Sequence, residues 1–256
     1  MNEILIPALI VGGAGLIFGA LLAVAGFIFK VKKDERIPLI EETLPGANCG
    51  GCGFAGCSAY AEAVVSGKAE CDLCAVGGEE VARYIADIMG TKSEFSKKYA
   101  FIGCTGGANE RYRYDGAPDC AYAAMLMGGV KTCKYGCIGL GNCRKVCPSG
   151  ALSMVDSIPA VDEEKCTGCG ACARACPRGL IGLIPEKAKY SVVCNSHEKA
   201  IYMKNACPDG CIGCGKCTKV CAYEAITVTD NLAKIDYDKC TGCGKCAEVC
   251  PRHIIR

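Results

Sequence analysis

The segment Cys240-Thr241-Gly242-Cys243-Gly244-Lys245-Cys246-Ala247-Glu248-Val249-Cys250-Pro251 carries four cysteines at the spacing C-x2-C-x2-C-x3-C. Sulfurs this close in sequence suit one shared metal centre, whereas disulfides usually join more distant positions. Gly242 and Gly244 supply the backbone freedom that so tight a loop requires. The spacing is that of bacterial ferredoxin loops around 4Fe–4S clusters. It recurs from Cys166 to Cys176-Pro177 and from Cys211 to Cys221. Three copies of one internal spacing are very improbable by chance or as zinc ribbons. Strand-like stretches, residues 225–229 and 232–236, lie between the last two runs.

A fourth run is altered. It reads Cys133, Cys137, Cys143 and Cys147-Pro148, with Leu140 in register with the second cysteine of the other runs. Leucine cannot ligate iron, so a substitute is needed. Cys133, four residues before Cys137, is the expected stand-in. The chain then holds two tandem two-cluster ferredoxin units of the pseudo-symmetric βαββαβ type. In such units the fourth cysteine of each run serves the other cluster. The first unit is thus expected to use Cys133, Cys137, Cys143 and Cys176 for one cluster and Cys147, Cys166, Cys169 and Cys172 for its mate. The second is expected to use Cys211, Cys214, Cys217 and Cys250, and then Cys221, Cys240, Cys243 and Cys246.

The 256 residues include 25 cysteines, an odd number that argues against a fully paired disulfide framework. Low-potential clusters imply a reducing compartment. A net charge of +2 gives no reason to expect nucleic acid. With His197 and His253 the only histidines, a His-rich zinc or haem site is not expected. Tryptophan is absent and apolar runs beyond the N-terminus are short, so metal binding and folding should be coupled.

From Ile4 to Phe29 no residue is charged, a length that spans a hydrocarbon layer as a helix. A secretory signal is the alternative, but Met1-Asn2-Glu3 lacks the basic residue such a signal carries. Lys30, Lys32, Lys33 and Arg36 follow the span, which puts the cysteine-rich remainder on the cytoplasmic side. Gly15 and Gly19 have the G-x-x-x-G spacing of helices that pack closely in lipid.

Next comes Cys49, Cys52 and Cys57 among glycines, then Cys71 and Cys74. A 4Fe–4S cluster needs four thiolates, so one of the last two suffices. A zinc site is the alternative. The stretch resembles the four-cysteine domain in the B component of the Rnf family of membrane complexes. There the fourth cysteine precedes a Gly-Gly and a helix, and Cys74-Ala75-Val76-Gly77-Gly78 fits that better than Cys71 does.

Apart from Cys71, these assignments leave Cys104, Cys120, Cys194 and Cys207, which bracket the first ferredoxin unit. They are expected to hold a sixth cluster; the alternative is a set of buried free thiols, leaving five clusters. No dinucleotide-binding, P-loop or nucleophile-elbow pattern is present, so the terminal hydride chemistry must belong to a partner.

The order of modules resembles the B component of Rnf complexes over essentially the whole chain. The expected fold is α+β: transmembrane anchor 1–30, linker 31–42, four-cysteine domain 43–90, connecting segment 91–130, ferredoxin unit 131–190, connecting segment 191–209 and ferredoxin unit 210–256. The resemblance implies an electron-transfer subunit without its own NAD site. It would sit in the cytoplasmic membrane, take electrons from soluble ferredoxin and pass them to membrane and flavin- or NAD-binding subunits of an ion-translocating complex. The competing readings are an electron wire of a hydrogenase or heterodisulfide-reductase-like assembly, and an iron–sulfur sensor or store.

Overall fold

The computed structural model describes residues 12–24, 34–93 and 95–256. Helix α1 covers 12–24. Its large apolar side chains face outward, Leu16 being 78% and Leu22 73% exposed. A methyl group placed on Gly12, Gly13, Gly15 or Gly19 would touch nothing. The remainder of the span expected from 4 to 29 lies outside the described residues. Among the described residues no helix is long and apolar enough to cross a membrane.

A three-helix module follows, made of α2 (Arg36–Thr43), α3 (Cys57–Val65) and α4 (Gly78–Met89). Helix α4 is amphipathic and stops at Gly90, whose left-handed backbone (φ 67°) suits a residue without a β-carbon. Ile40, Leu44, Tyr60, Ala61, Val64 and Ile85 form the core, with Cys52, Cys57, Cys71 and Cys74 packed against it.

Two repeats complete the chain. In the first, α6 (Asn142–Lys145) leads to the hairpin β2 (Leu152–Val155) and β3 (Ile158–Val161), then to α7 (Ala171–Ala175) and β4 (Ile181–Pro185). In the second, α9 (Lys216–Lys219) leads to the hairpin β5 (Ile226–Thr229) and β6 (Leu232–Ile235), then to α10 (Lys245–Glu248). The hairpins share one register logic: Leu152 pairs with Val161, as Ile226 pairs with Ile235. These strands are short because each covers little more than one cluster loop. Each four- or five-residue helix begins after a left-handed glycine: Gly141, Gly170, Gly215 and Gly244.

The repeats begin earlier than the cysteine spacing suggests. Strand β1 (Lys98–Ile102), inside the segment expected to be a connection, pairs antiparallel with β4, Ala100 opposite Leu183. In the second repeat Ser191 and Arg256 exchange two backbone hydrogen bonds and Val193 N–H donates to the Ile254 carbonyl. Each repeat therefore takes its outer strand from upstream, and an insertion separates that strand from the first cysteine run. Short helices α5 (Cys120–Met125) and α8 (Ala200–Ala206) lie in these two insertions. Edge pairing needs only compatible apolar strands, so cysteine spacing is blind to it.

The cores are thin and full of sulfur. Ala100, Leu152, Leu180 and Ile181 share theirs with Cys137, Cys143 and Cys172, while Ile226, Leu232, Ala233 and Ile254 share theirs with Cys211, Cys217 and Cys246. The first module depends on one polar anchor. Tyr60, fully buried, donates its hydroxyl hydrogen to the Glu70 carbonyl at 2.8 Å and accepts from Leu73 N–H at 3.2 Å. Tyr60→Phe strands both backbone groups and should cost about 1–3 kcal/mol. The expected readout is a lower unfolding midpoint for residues 34–90 by hydrogen exchange, with the two repeats unmoved.

Candidate iron–sulfur sites

In the first module, Cys49, Cys52, Cys57 and Cys74 line one cavity. Cys57 opens α3, and its N–H donates to Asn48 Oδ1 at 2.8 Å, which folds the glycine loop back onto the helix. Burial pushes the Cys74 thiol up, and the sulfurs of Cys52, Cys57 and Cys49 push it further. Cys71 turns elsewhere: its Sγ lies 3.4 Å from Thr91 Oγ1 and lines a different cavity, with Val64 and Met89. The structure therefore groups Cys74, and not Cys71, with the other three.

The second repeat gathers Cys211, Cys214, Cys217 and Cys250 around one cavity, so the fourth cysteine of the last run crosses to the first. Cys246 feels the charges of Cys240 and Cys243, and Cys221 packs on the same core. In the first repeat Cys172 feels Cys166 and Cys169, while Cys147 and Cys166 share its core.

One grouping differs from expectation. The cavity lined by Cys137, Cys143 and Cys176 is completed by Cys120, not by Cys133. The cause is a polar clamp. Asp119 caps α5 by accepting from Ala121 N–H, and Asn142 Nδ2 donates to the other oxygen of Asp119 at 2.8 Å. Asn142 Oδ1 in turn accepts from Cys120 N–H at 3.1 Å, so one side chain ties Cys120 beside Cys143. Leu140 packs with Ala123, Val130 and Ile138 and so helps hold α5 in place. The residue that stands in register with a cysteine of the other runs thus packs against the helix that brings Cys120 in.

Cys133 is held elsewhere. The Thr132 hydroxyl donates to the Ala206 carbonyl at 2.7 Å and carries Cys133 toward Cys207. Cys104, Cys133, Cys194 and Cys207 line one cavity, with Asp209 on its wall. The set expected there contained Cys120; Cys120 and Cys133 have exchanged places. Spacing alone could not reveal this, since both cysteines precede the run and it is the Asp119–Asn142 clamp and the Thr132–Ala206 bond that distinguish them.

Four sulfurs spread around a cavity, with glycine loops beside them, fit a cube of iron and sulfide. Among the described residues no three Cys, His, Asp or Glu side chains converge closely enough for a single ion, as a tetrahedral zinc site with Zn–S near ~2.3 Å demands. Peptide N–H groups also point at sulfur: Ala100 to Cys166 at 3.4 Å and Ala225 to Cys221 at 3.3 Å. With a cluster bound, such bonds would stabilise its reduced form and help set its potential.

Burial pushes the thiol of Cys137 up to about 12, and those of Cys172, Cys194 and Cys217 to about 11, from an ordinary 9.0. Burial acts on Cys147 too, but hydrogen bonds from the Ser149 hydroxyl and the N–H groups of Ala151, Ser149 and Leu152 outweigh it and lower its pKa. A raised pKa favours the neutral thiol in the folded chain. The metal-free fold keeps that stabilisation below pH ~9 and loses it as pH climbs toward the raised values. Iron loading needs thiolates and runs the opposite way. Anaerobic reconstitution near neutral pH should therefore release up to about four protons per site, and loading should strengthen as pH rises from about 6.5 to about 8.5. Proton release followed by pH-stat checks both.

Family comparisons agree with this architecture. Residues 44–76 match a family described as a putative Fe-S cluster, and residues 132–180, 165–226 and 205–256 match three described as 4Fe-4S dicluster domains. The chain therefore carries multiple 4Fe–4S clusters. It is 46% identical over 93% of its length to the B component of the Na(+)-translocating ferredoxin:NAD(+) oxidoreductase complex of Acetobacterium woodii, covering 73% of that protein. It is 44% identical over 93% of its length to the B component of the ion-translocating oxidoreductase complex of Methanosarcina acetivorans, covering 93% of it. The B component of the proton-translocating ferredoxin:NAD(+) oxidoreductase complex of Clostridium ljungdahlii is 44% identical over 92% of the chain, which covers 85% of it. With that identity over nearly its whole length, a four-cysteine module and two ferredoxin repeats in the same chain, the protein belongs to the family of B components of the ion-translocating, Rnf-type oxidoreductase complexes.

Proposed function

We infer that this chain is the electron-transfer subunit of an ion-translocating complex, taking electrons from reduced ferredoxin and handing them to partner subunits that reduce NAD+. The observation that carries the reading is the set of four-cysteine cavities distributed along one chain. A bound cluster supplies one-electron redox chemistry; the protein supplies thiolates, spacing, exclusion of water and N–H donors to sulfur.

Six clusters are proposed. Their ligands are Cys49, Cys52, Cys57 and Cys74; Cys120, Cys137, Cys143 and Cys176; Cys147, Cys166, Cys169 and Cys172; Cys104, Cys133, Cys194 and Cys207; Cys211, Cys214, Cys217 and Cys250; and Cys221, Cys240, Cys243 and Cys246. Cys120→Ala and Cys133→Ala separate this assignment from the one spacing suggests. The first should remove or convert a cluster of the first ferredoxin repeat, and the second should leave that repeat intact and remove the cluster between the repeats. Iron counting with EPR redox titration reads the difference, against about 24 iron atoms per chain for six intact clusters.

The anchor-proximal cluster is proposed as the output. Gly51 abuts the second run of the first repeat: a β-carbon there would lie 3.0 Å from the Cys169 carbonyl oxygen. The exposed apolar surface of α1, with Lys30, Lys32, Lys33 and Arg36 following it, supports insertion of residues 1–30 into the cytoplasmic membrane with the cluster domains on the cytoplasmic side. Cys49→Ser should leave reduction by ferredoxin intact and stop delivery to the NAD+-reducing partner. Onward transfer at the wild-type rate would reverse the proposed order.

A further inference from the structure

The two repeats meet at one cavity through equivalent atoms. Cys104 follows the outer strand of the first repeat, and Cys194 follows that of the second. Each sulfur accepts the peptide N–H two residues on, from Gly106 and from Ser196, both at 3.4 Å. Each also accepts an N–H from the first cysteine of its own repeat's cluster loop: Cys137 to Cys104 at 3.4 Å, and Cys211 to Cys194 at 3.3 Å. Cys104 and Cys194 line the same cavity, and Cys133 and Cys207 close it from the two insertions. One four-cysteine set is thus a single hydrogen bond from the ligand loop of each repeat.

We propose that the Cys104, Cys133, Cys194 and Cys207 set is the electronic bridge between the two ferredoxin repeats, coupled to each through the Cys137 N–H···Sγ Cys104 and Cys211 N–H···Sγ Cys194 contacts. This rests on the ligand assignment above. With clusters bound, one electron would pass from one repeat to the other by way of the group that Cys104, Cys133, Cys194 and Cys207 would hold, with no covalent bond formed or broken and no proton moved. Tunnelling weakens steeply with separation, so a cluster within one hydrogen bond of both ligand loops offers a faster route than a jump past it. Asp209 lines the cavity as well, and its carboxylate lies close to the Cys207 sulfur. A negative charge there holds the bridge potential down.

The experiment uses the full chain, reconstituted anaerobically. Cys207→Ala should lower iron by one cluster. In the fully reduced state, EPR of the intact protein should show spin-coupling broadening in the clusters of both repeats that touch the bridge, and the variant should narrow both. Freeze-quench EPR after one-electron photoreduction should show electron exchange between the repeats at least tenfold slower. If iron is unchanged, the ligand assignment fails. If one cluster is lost while both signals stay broad, or exchange keeps its rate, the bridge proposal is overturned.

Asp209→Asn removes no ligand and serves where Cys207→Ala does not fold. It should raise one midpoint potential and change the exchange rate while leaving the iron count intact. An unchanged midpoint or an unchanged exchange rate overturns the proposal.

Discussion

Convergence of four thiolates on one inorganic group is the constraint around which this molecule is built. The apolar cores hold only a few full-sized aliphatic side chains each, and sulfur-bearing residues fill much of the remainder. A core of that size stabilises little by hydrophobic burial alone. Bonds from iron to cysteine replace what burial does not provide. The cavities that would hold them bring together cysteines far apart in sequence, such as Cys120 with Cys176 or Cys104 with Cys207. Iron binding and folding are therefore one process, and the raised pKa values of buried thiols mark what the metal must overcome.

That constraint explains the local structure. A loop that wraps a cluster must reverse within a few residues, which places glycine at left-handed positions. Gly213 has φ +61°, and a β-carbon there would sit 2.9 Å from the Asn231 backbone. Side chains are excluded at that point by both conformation and space. Helices of four or five residues follow because the next cysteine must face the same cavity. Strands of four residues close the other side, and no larger sheet is needed.

The two insertions give this chain more than a pair of ferredoxin units in series. In a minimal unit the outer strand runs directly into the first cysteine loop. Here residues 103–136 and 195–210 separate the two, and each insertion returns cysteines to places the loops alone cannot reach. One return brings Cys120 to the cavity of Cys137, Cys143 and Cys176, in the run where Leu140 stands in register with a cysteine of the others. The other draws Cys133 and Cys207 to the place where Cys104 and Cys194 already meet. The Asp119–Asn142 clamp and the Thr132–Ala206 bond, both made outside the ligand set, decide which cysteine goes to which site.

The sequence by itself determined the chemistry. Repeated C-x2-C-x2-C-x3-C spacing, the glycine loop around Cys49 and the odd cysteine count are local properties, and cluster loops are read locally because their ligands lie within a few residues of each other. The hairpin of residues 226–229 and 232–235 was legible for the same reason. Tertiary structure alone decided what depends on distant partners. Strand β1 joins β4 across about eighty residues, so the first unit begins before its cysteines do. Cys120 and Cys133 both precede the altered run with no spacing rule to rank them, and only the hydrogen bonds that fix their backbones assign them to different cavities. Spacing does not rank Cys71 against Cys74; the Gly77-Gly78 that follows Cys74 pointed to it through the family resemblance, and the fold shows how it is presented. It is the buried Tyr60 hydroxyl, gripping the backbone at Glu70 and Leu73, that shapes the loop presenting one sulfur to the cavity and turning the other toward Thr91.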